Sequence, residues 1–276
     1  MTVHNHLRRG VLALFLCALA ATSAAQPSRA YVPEPGEDGK DVMWLPSADV
    51  MVRKMLDLGR VTKKDFLIDL GSGDGRTVIA AARRGARALG VEFNPDMVQY
   101  ATRQAASAHV GDRARFVRGD LFETDLSQAD VITLFLLDEI NIKLRPKLLA
   151  LRPGTRVVSN TFDMGEWKPD STVSARAGEG CTAYCTVHLW IVPAKVEGLW
   201  KLPNGEVRFR QSFQSLSGTL QANGREFPVQ GRLDGDRIRF VAGEEYSGRV
   251  EGNTMRGDVS SRGASRPWRA TRAAAR

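Results

Sequence analysis

Cysteine is scarce in this chain, three in 276 residues, which excludes a disulfide-dense scaffold. Cys17 falls in an N-terminal apolar run, so only Cys181 and Cys185 are left to the folded part. Three states are open to them: a short-range disulfide, free thiols, or, with His188, a Cys-x3-Cys-x2-His metal set that lacks the fourth ligand of a closed zinc site. Histidine is also sparse, at four residues. His109 falls in a predicted turn and His188 in a predicted strand, so no nucleophile–base constellation is visible. No apolar run reaches the roughly 18 residues needed to span a bilayer as a helix.

Other absences narrow the chemistry. No Gly-Lys-Ser/Thr follows the glycine-rich turn at 71–75, which excludes a phosphate-cradling loop of that type. The chain lacks the Asn/Asp/Ser-Pro-Pro-aromatic segment of amino-methylating DNA enzymes and the Pro-Cys nucleophile of base C5 methylation, so both common DNA chemistries are set aside.

Charge is plentiful and unevenly placed. The net charge is +8. Residues 26–196 are nearly balanced, whereas residues 197–276 carry 14 basic side chains against nine acidic. After Asp258 come Arg262, Arg266, Arg269, Arg272 and Arg276 with no acid between them. Such a tail is either a solvated end or a face for an anionic surface.

The first 25 residues have the layout of a secretory signal peptide. Arg8-Arg9 begin it, Val11 to Ala20 form its apolar part, and Thr22-Ser23-Ala24-Ala25 offer a small-residue cleavage site. The expected location is therefore the periplasm or cell envelope; the alternatives are the cytoplasm or an uncleaved N-terminus held at the inner membrane. Residues 26–41, rich in Pro, Gly and charge, read as an irregular lead-in.

From residue 42 to 194 the pattern alternates. Ser47 is the expected N-cap of a helix over 48–58. Strands are predicted at 66–70, 88–92, 115–118, 131–137, 156–160 and 186–192. Helices are predicted at 76–84, at 95–107 behind Asn94-Pro95, and at 140–151, where Pro146 begins or kinks the main part. Strand and helix alternating in this way imply a parallel, doubly wound α/β sheet. Past 195 the helical period disappears. Short alternating strands separated by Asn223-Gly224, Asp234-Gly235 and Gly252-Asn253 predict a small antiparallel meander or barrel-like module over 195–276.

The first predicted strand runs into "LIDLGSGDGRTVIAAA". A dinucleotide turn wants its third glycine where Arg76 stands. Asp69-x-Gly71-x-Gly73-x-Gly75 resembles instead the first motif of class I S-adenosylmethionine methyltransferases. Residues without a Cβ let the backbone approach a ribose and a methionine moiety closely. By that likeness Asp69 meets the methionyl ammonium, with Gly71, Ser72, Gly73 and Gly75 forming the turn. Glu92, ending the second strand, takes the ribose hydroxyls. Asp120 and Leu121, after the third strand, hold the adenine.

A narrower likeness lies in "WLPSADVMVRKML", "GVEFNPDMV", "FVRGDLFETDLSQADVITLFLL", "LRPKLLALRPGTRVVS" and "FDMGEW". In this order they resemble bacterial relatives of the protein-lysine methyltransferases that modify the ATP synthase c-subunit and the adenine nucleotide translocase. The resemblance implies a Rossmann-like, doubly wound, seven-stranded domain and an amine acceptor such as a protein lysine. It places Trp44, Pro46 and Ser47 at the substrate entrance. Asp138 and Glu139, leaving the fourth strand, are the candidates for orienting the ammonium or taking its proton, and are equally suited to capping a helix. Two readings stand beside this one: a small-molecule or lipid methyltransferase, and an exported protein that binds the nucleoside without turnover.

Overall fold

A computed structural model describes residues 31–261 and 263–274. The predicted signal segment 1–25, the start of the lead-in, and Arg262 and Arg276 of the basic tail lie outside the described residues.

The first layer system comprises α1 (Asp49–Leu58), β1 (Phe66–Leu70), α2 (Arg76–Arg83), β2 (Arg87–Glu92), α3 (Pro95–Ser107), β3 (Ala114–Arg118), β4 (Val131–Leu134), α4 (Asp138–Leu149), β5 (Arg156–Asn160), β6 (Ser171–Ser174) and β7 (Thr186–Ile191). They build a seven-stranded sheet in the order β3-β2-β1-β4-β5-β7-β6. β3, β2, β1, β4 and β5 are mutually parallel. β7 and β6 each run antiparallel to their inner neighbour, at the edge of the otherwise parallel, doubly wound sheet that the sequence pattern predicts. β6 and β7 are joined as a hairpin, and β7 inserts between β5 and β6, running against both. Chain order reverses between β1 and β4, which opens a crevice beyond their carboxyl ends.

The central strands are buried on both faces, as their unbroken apolar runs require: Leu67, Ile68, Leu70, Val131, Ile132 and Leu134 are all at most 1% exposed. The apolar run after residue 131 does not continue as strand, because the sheet ends at Leu134, Phe135 and Leu136 turn toward the crevice, and Leu137 is the exposed N-cap of α4. α3 is capped as its sequence demands. Asn94 accepts from the amides of Asp96 (2.9 Å) and Met97 (3.4 Å), and Pro95 takes the first helical position. α4 runs unbroken through Pro146; Pro146 and Ile142, four residues before it, both lie on the exposed side. Ser47 is not the cap of α1. Ala48 holds that position without a side-chain bond, and Ser47 is pulled inward, its hydroxyl accepting from Asn160 at 3.1 Å.

The second layer system is a closed, up-and-down, eight-stranded antiparallel barrel. Its strands are β8 (Gly198–Leu202), β9 (Gly205–Ser212), β10 (Ser215–Ala222), β11 (Arg225–Asp234), β12 (Arg237–Ala242), β13 (Glu244–Glu251), β14 (Thr254–Ser261) and β15 (Ala264–Arg272). β15 pairs with β8 to close it. Asn223 and Gly224 both have positive φ (51° and 72°), the geometry of a tight primed hairpin turn. The interior is filled, with Trp200, Phe209, Phe240, Met255 and Trp268 meeting across it, so the barrel is a packed core and not a ligand channel.

The barrel rests against the end of the sheet that carries the amino termini of the parallel strands. Gly235 accepts a bond from the amide of Ala194 (2.8 Å) and abuts Gly154 ahead of β5. Gln214 donates to the carbonyl of Lys168 (2.8 Å), Arg232 pairs with Asp170, and Phe213 stacks on Trp167 at 6.2 Å. The crevice at the carboxyl ends of the strands is left to the α/β layers alone. No helix among the described residues is long and apolar enough to cross a membrane.

Candidate active site

A cleft of about 980 Å³, counting its open mouth, lies at the switch point between β1 and β4. The glycine turn forms its floor. Gly71, Gly73 and Gly75 have φ of 73°, 50° and 84°, a left-handed run that side chains with a Cβ adopt only under strain. Space demands glycine as well. A Cβ on Gly73 would lie 2.1 Å from the Trp44 indole nitrogen, and one on Gly75 would lie 2.6 Å from the Phe116 ring.

Asp69 stands at the penultimate position of β1 and is 6% exposed. Thr133 donates its hydroxyl to Asp69 Oδ1 at 2.5 Å. Burial raises the Asp69 carboxyl to about 7, reinforced by the carboxylates of Asp74 and Glu92 and opposed by the Thr133 bond. Burial disfavours the charged form of this carboxyl, so a cation entering the cleft would draw it into the ionised state.

Glu92 is held by two backbone amides, Gly73 N–H to Oε2 and Asn94 N–H to Oε1, each 2.9 Å. Its carboxylate is thereby fixed at the tip of β2, with lone pairs left for further donors. Asp120 accepts from the amide of Phe122 at 2.8 Å and pairs with Lys40. Both interactions hold its carboxyl below the usual range, the Lys40 ammonium foremost. Between these two acids lies Phe93, 41% exposed, with Lys40 over its ring at 5.1 Å. Leu121, half-buried, completes this wall. Ser72 Oγ is buried without a partner at the turn.

The opposite wall comes from the lead-in. Its chain loops back on itself through two backbone bonds between 36–37 and Trp44, each 2.9 Å. Arg76 then anchors the following residues: its guanidinium takes both oxygens of Asp74 and donates to the Ser47 carbonyl at 2.7 Å. Asp74 and Arg76 thus clamp Trp44, Pro46 and Ser47 beside the glycine turn. Asp138 and Glu139 are exposed in the first turn of α4. Asp138 Oδ1 accepts from the amide of Asp163 at 2.7 Å, tying the loop after β5 to α4.

The fold therefore brings Asp69, Gly71, Ser72, Glu92, Asp120, Leu121, Trp44, Pro46 and Ser47 to one cleft. Gly73 and Gly75 shape its turn, and Asp138 and Glu139 lie outside its lining. Sequence reasoning missed Lys40, Phe93 and Thr133. Phe93 was detectable as the aromatic that follows the acid ending β2; Lys40 carries no local signal.

Cys181 and Cys185 are joined as a disulfide. The described residues contain no cluster of His, Cys, Asp and Glu suited to a metal ion, and His188 bonds the Thr161 carbonyl and the Thr172 hydroxyl.

Comparison with known proteins fits this geometry. Residues 69–171 match the ANTKMT methyltransferase domain. A protein-lysine N-methyltransferase of Saccharolobus islandicus is 38% identical over 154 residues, 55% of this chain and 94% of that protein. The chain belongs to the ANTKMT methyltransferase family. A mouse lysine N-methyltransferase of the ATP synthase c-subunit is 36% identical over 161 residues, 58% of this chain and 62% of the mouse protein. The crystal structure of an RNA methyltransferase from Salinibacter ruber, in complex with S-adenosylhomocysteine, aligns at a TM-score of 0.51 and 49% identity, over 55% of this chain and 96% of that one. The family match ends at residue 171, before the barrel begins.

As a member of this family the chain is an S-adenosylmethionine-dependent methyltransferase of the class I fold. The residues present fit that cofactor: a left-handed glycine turn forms the floor of the cleft, a buried serine hydroxyl lacks a partner, and acids stand at three separated points of one cleft.

Proposed function

We propose that this member of the family transfers methyl groups to an amine, the side chain of a protein lysine. The observation that supports it best is the 38% identity to a protein-lysine N-methyltransferase that the chain covers over 94% of its length, together with a cleft whose acids are placed for a nucleoside and an amino-acid moiety.

The residue roles follow from chemistry. Asp69 would offset the methionyl ammonium. The backbone of the turn at Gly71, Ser72, Gly73 and Gly75 would lie against the ribose and methionine portions. Glu92, immobilised by two amides, would accept from the ribose hydroxyls; Phe93 would stack on the adenine, whose amino group Asp120 would hold beside Leu121. When bound, S-adenosylmethionine supplies an activated methyl on a sulfonium, which needs no nucleophilic residue from the protein. The protein's share is alignment and exclusion of water. Trp44, Pro46 and Ser47, clamped by Arg76, would shield the entrance. The acceptor amine must be neutral to attack, and removal from water lowers its pKa. Glu139 and Asp138, outside the cleft lining, would draw the ammonium in and receive its proton through solvent.

A second acceptor, RNA, is favoured by one observation, the 49% identical RNA methyltransferase of Salinibacter ruber; the arginine-rich exterior of the barrel is compatible with it. Tritiated-methyl transfer from S-adenosylmethionine into a cell extract, fractionated into protein, RNA, lipid and small molecules, decides among them. Label confined to lysine in protein supports the proposal; label in any other fraction with none in protein refutes it.

We also propose that the protein is exported, on the strength of the Arg8-Arg9, apolar and Ala24-Ala25 succession. The Cys181–Cys185 disulfide is in keeping with an oxidising compartment. Fractionation and determination of the mature N-terminus test this; an intact N-terminus in the cytosolic fraction refutes it.

A further inference from the structure

Three aromatic rings from three separate segments meet beside the cleft. Phe135 follows β4, Phe162 follows β5, and Tyr184 precedes β7. Because β7 runs antiparallel, its start lies at the same end of the sheet as the exits of β4 and β5, with Val187 opposite Asn160. The ring centroids form a near-equilateral triangle with sides of 5.3, 5.8 and 6.0 Å. Phe135 also lines the cofactor cleft, so this triangle borders the place where a methyl donor would sit.

Tyr184 is an odd member of the group. It is 42% exposed and has φ of 58°, a left-handed conformation that a bulky residue adopts only where the surroundings impose it. What imposes it is the loop: Tyr184 lies within the ring closed by the Cys181–Cys185 disulfide, directly before Cys185. An exposed tyrosine held against two other rings at such a conformational cost does little for the core. It does create an aromatic surface open to solvent on one side. The rim beside that surface is acidic. Asp163 follows Phe162 directly, and its amide bonds Asp138, which neighbours Glu139; all three acids are exposed. No ion pair within the described residues engages them.

We infer that Phe135, Phe162 and Tyr184 form the acceptor subsite, that it receives an alkylammonium group, and that the disulfide loop positions Tyr184 to complete it. This rests on the amine-acceptor reading above. Aromatic faces attract cations within about 6 Å of their centroids. A cation seated over this triangle would be near all three rings, with the acids steering it in. The attraction grows relative to hydration as methyl groups are added, so the subsite favours the partly methylated amine and retains it between successive transfers.

The test uses the full-length protein saturated with S-adenosylhomocysteine and titrated calorimetrically with three probes. These are Nα-acetyl-lysine methylamide, its Nε-trimethyl form, and the uncharged tert-butyl carbon isostere of the latter. The trimethylammonium probe should bind about two- to fivefold tighter than the isostere. Tyr184→Phe should retain that preference, while Tyr184→Ala and the Cys181→Ser/Cys185→Ser pair should abolish it. Binding of S-adenosylhomocysteine to each variant checks that it is folded. Equal affinity for the charged probe and its isostere in the wild type, or an unchanged preference in Tyr184→Ala, overturns the inference. Methyl transfer to lysine without such a preference defeats the subsite and leaves the acceptor reading standing. A charge preference without transfer to any lysine defeats the acceptor reading and leaves the subsite standing.

Discussion

With Asp69 as the proposed partner of the ligand's ammonium, cofactor affinity should depend on pH in a way that can be worked out in advance. The Asp69 carboxyl, buried in β1 and bonded by Thr133, is raised to about 7. The sign for the unliganded protein follows directly. A carboxyl whose folded value exceeds its unfolded value near 3.8 favours the fold in its neutral form, so its stabilising effect is complete below 3.8 and fades as pH rises toward 7. A ligand ammonium placed against the carboxylate reverses the preference and drives the proton off. Below pH 7 binding therefore costs one proton, and affinity falls about tenfold for each pH unit. At pH 6 the dissociation constant of S-adenosylhomocysteine should be roughly ten times its plateau value, with about 0.9 proton released per ligand bound. On the alkaline side the ligand's own α-amino group lowers affinity again, above the roughly 7.7–8.0 of a chain N-terminus because a free carboxylate stands beside it. The result is an acidic limb below about pH 7 and a plateau above it. Calorimetry from pH 5.5 to 8.5, in pairs of buffers with different ionisation enthalpies, reads both the dissociation constant and the proton count. Asp69→Asn should remove the acidic limb and weaken the plateau by about ten- to a hundredfold, the worth of a charged hydrogen bond. A flat profile between pH 5.5 and 7, or an acidic limb that survives in Asp69→Asn, refutes the assignment of Asp69 to the ligand's ammonium.

Three further substitutions probe the turn and its supports. Gly73→Ala places a Cβ 2.1 Å from the Trp44 indole nitrogen; Trp44 must leave, so its fluorescence should shift and S-adenosylhomocysteine affinity should fall about tenfold or more. Gly75→Ala meets the Phe116 ring at 2.6 Å and the Ala101 methyl at 2.9 Å with φ at 84°. It should lower stability by about 1–3 kcal/mol in urea unfolding, with the loss also present without ligand. Glu92→Gln leaves one oxygen to serve two amides, Gly73 N–H and Asn94 N–H, each of which bonds a separate oxygen in the native chain. One amide loses its acceptor, at a cost of about 1–3 kcal/mol, and both the melting temperature and ligand affinity should fall.

These sites differ in how much of them a reader of the chain could see. The glycine turn was legible because left-handed φ and close approach both demand glycine, and the demand is written at every second position from 71 to 75. Asn94-Pro95 announced α3 for a similarly local reason, a cap and its first helical residue side by side. Ser47 has the same cap chemistry and does something else, because Asn160, distant in sequence, competes for its hydroxyl. β6 escaped notice since Ser171, Thr172 and Ser174 are exposed on an edge and carry no apolar alternation. β4 read three residues too long because burial in the cleft and burial in the sheet select the same side chains at Phe135 and Leu136.

The least legible features are those in which one segment completes another. Lys40 reaches Asp120 across 80 residues of sequence, and its ammonium stands over Phe93 at the spot proposed for an adenine. An adenine amino group and a lysine ammonium offer the same thing to a carboxylate, a donor hydrogen, so one can substitute for the other at Asp120 without leaving that acid unpaired. Tyr184 joins Phe135 and Phe162 from a loop whose only sequence mark is a pair of cysteines. Both contacts are made by side chains on exposed loops, at the carboxyl end of a rigid parallel core; the first lines the cleft and the second borders it through Phe135. The barrel is docked at the other end, where it can take a partner without obstructing either one. The core thus fixes the acids that would recognise the donor, while the connections that local pattern cannot foretell surround the mouth through which an acceptor would enter.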